Sequence, residues 1–301
     1  MQERAPIVVQ GRACWRGAIA SLFVAVTTLI TGCGESEYRA GLARTNAYYK
    51  HLAHLDENLA GPLLFGPSSG VQVSLRVPKQ FVLIDPEPLP VDAEGNELPP
   101  PPGQLTPAEQ MQPYYLGLTL PGMAGAYSVQ MLTDIGGSDA GQPAFLYIMN
   151  NTVIVEQQQL ADQGLAPQPD VDPTNLFNVV EEQLAAALGV ETIPAGDDGD
   201  PANFNERFVE RYPRADPVKQ YHEQKTITEI RFRPEGIIEG FEVPYQFHLF
   251  EYEQAETGTQ IAILLVAPEA VVRSENLDER IDLMLTTMEL PKPRKRGGGM
   301  F

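Results

Sequence analysis

Between Gly17 and Gly34 the chain carries no charged residue, and Arg12 and Arg16 stand immediately before this run. Ala, Ile, Leu, Phe and Val dominate it, with a few Thr and Gly. A segment of this kind cannot rest on the wetted surface of a globular domain, so it constrains how the whole chain can be organised. A basic stretch, a short apolar stretch and a small residue at its end together describe an export signal. Two other readings share the composition. As a helix rising ~1.5 Å per residue the run reaches about 27 Å, close to the ~30 Å of a bilayer's hydrocarbon core, so an uncleaved signal anchor fits the length. A buried core helix also fits an apolar run. The abundance of Ala and Thr weakens the drive to remain inserted.

The run ends Leu29-Ile30-Thr31-Gly32-Cys33. This ending resembles the lipobox of bacterial lipoprotein precursors. The resemblance implies recognition by the signal peptidase at Ile30, Thr31 and Gly32, cleavage before Cys33, and attachment of a diacylglycerol to the Cys33 thiol. Thr31 departs from the residues favoured at its position. Residues 1–32 are then a lipoprotein signal peptide, and lipid on Cys33 tethers the mature chain to a membrane on the exported side of the cell envelope. Each buried methylene of such an anchor contributes ~0.8 kcal/mol, and two or more acyl chains hold firmly where one does not. Gly34 follows the cysteine, which in some envelopes resembles an outer-leaflet lipoprotein.

Only Cys14 and Cys33 are present in the 301 residues. If Cys14 leaves with the signal and Cys33 is acylated, no thiol remains for a disulfide, a zinc–thiolate site or a cysteine nucleophile. The net charge is −19. Removing 1–32 takes away Arg4, Arg12 and Arg16 against Glu3, which leaves about −21. Such acidity disfavours nucleic acid as a partner and non-specific binding to anionic headgroups. At 43% hydrophobic residues the chain can build a core and does not read as disordered.

From Tyr38, the residues Leu42, Thr45, Tyr49, Leu52, Leu55 and Leu59 recur at spacings of three and four, and Gly61-Pro62 follows. The spacing predicts an amphipathic helix within 33–62, packed on the domain or standing off as a stalk. Val71, Val73, Leu75 and Val77 alternate with polar residues and predict a half-buried strand. Residues 85–103 hold seven prolines, among them Pro99 to Pro102, and read as a Pro-rich loop. Strands are expected at Tyr114 to Leu120, Tyr127 to Leu132, Ala144 to Met149 and Thr152 to Glu156, with Asn150-Asn151 turning the last pair. Asp172 and Pro173 open a helix whose stripe is Leu176, Phe177, Val180, Leu184 and Leu188, and Gly189 closes it. Thr226 to Phe232, Pro244 to Tyr252 and Thr259 to Ala267 read as strands. The run Ile261 to Val266 is apolar on both faces and should lie centrally, covered on both sides. Ser274 or Asn276 caps a last helix with Leu277, Ile281, Met284, Leu285 and Met288 buried, and Pro291 ends it. Residues 291–301 form a basic tail.

This order predicts one α+β domain over 65–290, with a mainly antiparallel sheet and packed helices, preceded by the signal segment and the amphipathic helix. The opening Val73-Ser-Leu-Arg-Val-Pro-Lys-Gln-Phe81 and the closing Thr286-Thr287-Met288-Glu289-Leu290 resemble PsbP/Mog1-like domains in pattern. That resemblance implies a non-catalytic binding or assembly domain.

Few residues suggest chemistry. His51 and His54 lie three apart on a helix, where two imidazoles can face one metal, but with no third histidine near by a solvated face is the better account of them. His248 reads as a packed imidazole within a strand. Asp197-Asp198-Gly199-Asp200 places oxygens closely, yet an EF-hand would need Glu at its twelfth position, where Val209 or Arg211 stands. No nucleophile elbow, phosphate loop, zinc helix or dinucleotide fingerprint occurs, so no metal, cofactor or catalytic residue is assigned. The expected function is that of a membrane-anchored, non-catalytic envelope lipoprotein that presents a binding or assembly domain to a protein partner. Two alternatives remain: a tethered hydrolase using two carboxylates, and a solute-binding lipoprotein of a transporter.

Overall fold

The computed structural model describes residues 13–67, 71–92, 98–102, 104–135, 138–191, 200, 203–214, 219–274 and 276–290, with side chains from residue 36 onward except at 108, 133–140 and 272–274. The chain divides into two compact units, Met1–His54 and Leu55–Phe301.

The first unit is helical. Helix α1 runs Ala13–Asn58, so its last turn belongs to the second unit. The backbone is already helical through Gly34 to Glu37, the short polar stretch ahead of the Tyr38 stripe. The expected burial of the Tyr38-to-Leu59 stripe is found only at its C-terminal end: Leu55 and Leu59 are buried, whereas Tyr38, Leu42 and Tyr49 are exposed.

The second unit is built on a seven-stranded sheet in which every neighbouring pair is antiparallel. After the small pair β1 (Leu63–Phe65) and β2 (Val73–Leu75), the chain places β3 (Val82–Leu83) at one edge of this sheet. A short helix α2 (Pro107–Gln110) precedes two long strands, β4 (Met123–Ile135) and β5 (Ser138–Asn150). Helices α3 (Asn151–Asp162) and α4 (Leu176–Leu188) follow, then β6 (Arg207–Tyr212), β7 (Lys225–Phe232), β8 (Tyr245–Gln254) and β9 (Thr259–Pro268). Helices α5 (Glu269–Ser274) and α6 (Leu277–Thr287) close the order. The sheet reads β3-β4-β5-β9-β8-β7-β6. This is the α+β class with an antiparallel sheet that the element order predicts.

Strand β9 sits in the middle, and all ten of its residues are buried. Alternate side chains point to opposite faces. Ala262, Leu264 and Val266 join Ile154 of α3 and Leu176, Val180, Leu184 and Leu188 of α4 in one core. Ile261, Ile263 and Leu265 point the other way and are equally buried. On that side Lys225 Nζ donates to the Thr286 carbonyl at 3.2 Å and Arg214 Nη1 donates to Asp282 at 2.8 Å, which places α6 over the second face. Helix α5 packs on β4 and β9, and α6 on β2 and β6. The backbones of Ser74 and Glu289 exchange two 2.8 Å hydrogen bonds, fastening β2 to the chain after α6.

Several elements differ from the sequence reading. Tyr114 to Leu120 is not a strand. A 3₁₀ turn covers Tyr114–Leu116, and Gly117 follows at φ +65°. The Gln112 side-chain amide donates to the Leu120 carbonyl and accepts from its N–H, supplying the partners a neighbouring strand would have given. Thr152 to Glu156 is the start of α3, not a strand. Asn150 caps that helix, its side chain accepting from Thr152 N–H at 2.9 Å, so it does not turn a hairpin. The hairpin partner of β5 is β4, in register from Met123↔Met149 to Ile135↔Ser138. Asp172 caps a 3₁₀ turn, Pro173–Asn175, and α4 starts only at Leu176. Strand β6 has no counterpart among the expected elements. Asn276 stands at the start of α6 in the left-handed region without a side-chain cap, and the helix stops at Thr287, before Pro291. The acidic stretch 192–199 and the tail 291–301 lie outside the described residues.

The burial pattern predicts a sharp contrast between two leucines. Leu264→Ala, fully buried at the sheet's centre, should cost about 3–5 kcal/mol by the transfer and cavity terms. Leu132→Ala, 66% exposed on β4, should change stability by less than about 0.5 kcal/mol. Urea unfolding followed by circular dichroism measures both.

Candidate functional site

Strand β7 supplies the residues that the sequence left unassigned. In Lys225–Phe232 the side chains of Ile230 and Phe232 enter the α3/α4 core, so Glu229 and Arg231 point to the face under α6. Glu229 is 1% exposed. It accepts from Arg231 Nε at 2.6 Å and sits 3.0 Å from His248 Nδ1 on β8. His248 Nε2 faces Gln246 Oε1 at 3.2 Å, and the imidazole stacks on Phe250. Arg231 also lies over the Phe208 ring at 5.2 Å. Both ring nitrogens of His248 are therefore engaged, and neither is left to activate a nucleophile or ligate a metal.

The network continues to the sheet edge. Arg214 donates to Asp282 of α6 and to the Tyr212 hydroxyl at 2.6 Å, pairs with Glu210, and comes within 3.8 Å of Glu229. Its guanidinium lies 4.8 Å from the Tyr212 ring centroid. Burial and the nearby Glu229, Glu210 and Asp278 carboxylates outweigh Arg214 and push Asp282 up to about 6. Burial opposes the charge on Glu229, but hydrogen bonds from His248 and Arg231 prevail and hold its carboxyl below the usual range. The arrangement fastens α6 to β6, β7 and β8.

A second carboxylate lies on the opposite face. Glu251 shares its side of β8 with Leu249 and Phe247, in the α3/α4 core, and is 6% exposed. Burial pushes its carboxyl up to about 7, only partly offset by Arg207, while Glu181 of α4 adds to the rise. Glu181 is paired with Arg207. Glu251 Oε1 and Arg207 Nε are both buried without a hydrogen-bond partner among the described residues. Because Glu251 and Asp282 are on opposite faces of one sheet, they cannot act on a common substrate.

Two of the open clefts among the described residues flank the sheet. One, of about 560 Å³, is lined by Met111, Leu120, Met123, Ile154 and Val171 together with Gln183. The other, of about 840 Å³, lies where Lys225 and Tyr252 meet Glu253, Glu256, Glu289 and Leu290. Neither Glu251 nor Asp282 lines them.

Among the residues singled out from the sequence, Cys33, Ile30, Thr31 and Gly32 fall within α1, but their side chains lie outside the described residues. His51 and His54 are on α1; burial, then the His54 charge, lowers the His51 pKa. No group of three or more metal-ligating side chains occurs among the described residues. Of the Asp197–Asp200 cluster only Asp200 is described. No helix among the described residues is long and apolar enough to cross a membrane, and the side chains of the run 17–34 are outside them.

The two raised carboxyls set the pH dependence of folding. A folded-state pKa above the unfolded value stabilises the protein below the unfolded pKa, and that contribution is lost as pH rises through the folded value. Stability should therefore fall between about pH 4.5 and pH 7 through Glu251 and, to a lesser extent, through the partly exposed Asp282. Glu251→Gln should flatten the fall and gain on the order of 2–3 kcal/mol at pH 8. Glu229→Gln should act in the opposite sense, losing stability at neutral pH. Melting temperature against pH for the three proteins decides.

No protein-family model and no curated protein matches the chain. Among solved structures, LpqN, involved in cell envelope biogenesis of Mycobacterium tuberculosis, superposes with a TM-score of 0.32 at 10% sequence identity, over 79% of this chain and 94% of that one. A superposition of that score carries no functional argument.

Proposed function

We propose that this chain is a lipid-anchored protein of the bacterial envelope whose α+β unit binds a protein partner and carries out no chemistry. The observation that carries the reading is Ile30-Thr31-Gly32-Cys33 at the end of an uncharged apolar run behind Arg12 and Arg16. The non-catalytic part is supported by the placement of the charged groups. The buried His248, Glu229, Arg231, Arg214 and Asp282 are committed to one another, and the raised carboxyl of Glu251 lies across the sheet from that of Asp282. A hydrolase of paired acids needs both on one cleft. A transporter's solute receptor needs two lobes around a hinge, whereas residues 55–290 form one compact unit on one large sheet.

Mass spectrometry of the N-terminal peptide from membrane-extracted protein tests the anchor. The expected first residue is Cys33 bearing diacylglycerol, and a Cys33→Ala variant should retain residues 1–32. A wild-type chain with Met1 in place and a free Cys33 thiol overturns the reading. Crosslinking of the acylated protein in intact envelopes should then capture a partner through the unit 55–290. Recovery of that unit uncrosslinked in cells where the anchor is intact argues against the partner.

A further inference from the structure

Charge is spread unevenly along the chain. Between Lys79 and Arg207 stand nineteen Asp and Glu residues and no Lys, Arg or His. The open cleft of about 560 Å³ is lined wholly from within that stretch, by residues between Met111 and Gln183. Asp170, which is exposed, is the one charged residue among the described residues that line it. The next cation along the chain, Arg207, is paired with Glu181. An anion placed in the cleft meets no cationic side chain in its walls and an acidic segment around it, so carboxylates and phosphates are poor occupants.

The walls are apolar and held in place. Leu120 and Ile154 belong to the α3/α4 core, and Met111, Met123 and Val171 pack against that core while partly buried. The Gln112 amide, bonded to both sides of the Leu120 backbone at 2.8 and 3.3 Å, fixes one wall. A Cβ on Gly122 would come within 2.7 Å of the Asn150 carbonyl oxygen, so only glycine lets this turn pack so closely on the start of α3. Two methionines let the walls adapt to an apolar guest. Gln183 is half-buried in the lining, and its Oε1 is buried without a hydrogen-bond partner among the described residues. An unmet buried acceptor is costly, and a turn of the terminal amide towards a donor in the cleft removes that cost. A cleft of this size takes one small molecule.

We propose that the cleft binds a small apolar amine, its hydrocarbon part against Met111, Met123, Ile154 and Val171 and its ammonium group at Asp170. The ammonium N–H groups serve the acceptors that the walls offer, and the acidic segment draws the positive charge in. A neutral alcohol of the same shape keeps the apolar contact and loses that attraction. The site does not depend on acylation of Cys33, so this inference and the anchor stand or fall separately.

The full chain in phosphatidylcholine nanodiscs, with isotope-labelled methionine methyls, is titrated with phenylbutylamine, phenylbutanol and phenylbutyrate, which share a phenylalkyl body. The Met111 and Met123 methyl resonances report the cleft, and Met284 and Met288, buried at α6, serve as controls. The expected result is saturable movement of Met111 and Met123 alone among these four. The amine should bind about three-fold more tightly than the alcohol and about ten-fold more tightly than the carboxylate. Asp170→Asn should remove most of the amine's preference over the alcohol and leave the affinity for the alcohol unchanged. Val171→Trp, which fills the cleft, should abolish the response to all three. Equal affinities for amine and carboxylate, an unchanged amine preference in Asp170→Asn, or equal shifts at all four methionines overturn the proposal. No movement of Met111 and Met123 at millimolar amine overturns it too. Asp170 is exposed, so Asp170→Asn decides even where Val171→Trp fails to fold.

Discussion

Burial of β9 on both faces is the constraint on which the second unit depends. An apolar strand exposed on either side would give up roughly 25 cal/mol for each Å² left in water. Two layers are therefore required, and the chain supplies them from separate regions. Helices α3 and α4 come between the two halves of the sheet, and α5 and α6 come after its last strand. The strands on the two sides of β9 come from distant parts of the chain, since β5 and β8 both pair with it.

The charged network under α6 follows from that requirement. A helix laid over β6, β7 and β8 must cover whatever the strands present there, and β7 presents Glu229 and Arg231. Burying either ion alone is costly, whereas buried charges that are paired and hydrogen-bonded are tolerated. Here the cost is offset by His248, by Arg214 and by Asp282 from the helix itself. The result is specific docking of α6. Glu251, on the other face, lacks such a set of partners, and its proton affinity rises accordingly.

The described part of the first unit is a single helix and follows other rules than the sheet. Among the described side chains of α1, Tyr38, Leu42 and Tyr49 are exposed, and burial begins only near its end, at His51 and Leu55.

Features of short range are already written in the chain's spacing and composition. The apolar run to Cys33, the centrality of Ile261 to Val266, the stripes of α4 and α6 and the α+β class are of this kind. Long-range packing settles the remainder. Thr152 to Glu156 reads as a strand by its β-branched residues, but the Asn150 cap turns it into a helix, which Ile154 against the core and the buried Asn151 hold in place. Tyr114 to Leu120 has strand composition, yet Gln112 takes the backbone bonds a strand partner would need. Glu229 and Arg231 alternate with Ile230 and Phe232, and alternation reveals only that the two faces of a strand differ. It does not reveal what will cover the polar one. A helix almost fifty residues further along the chain does so, and with it Glu229, His248 and Asp282 became parts of one buried network.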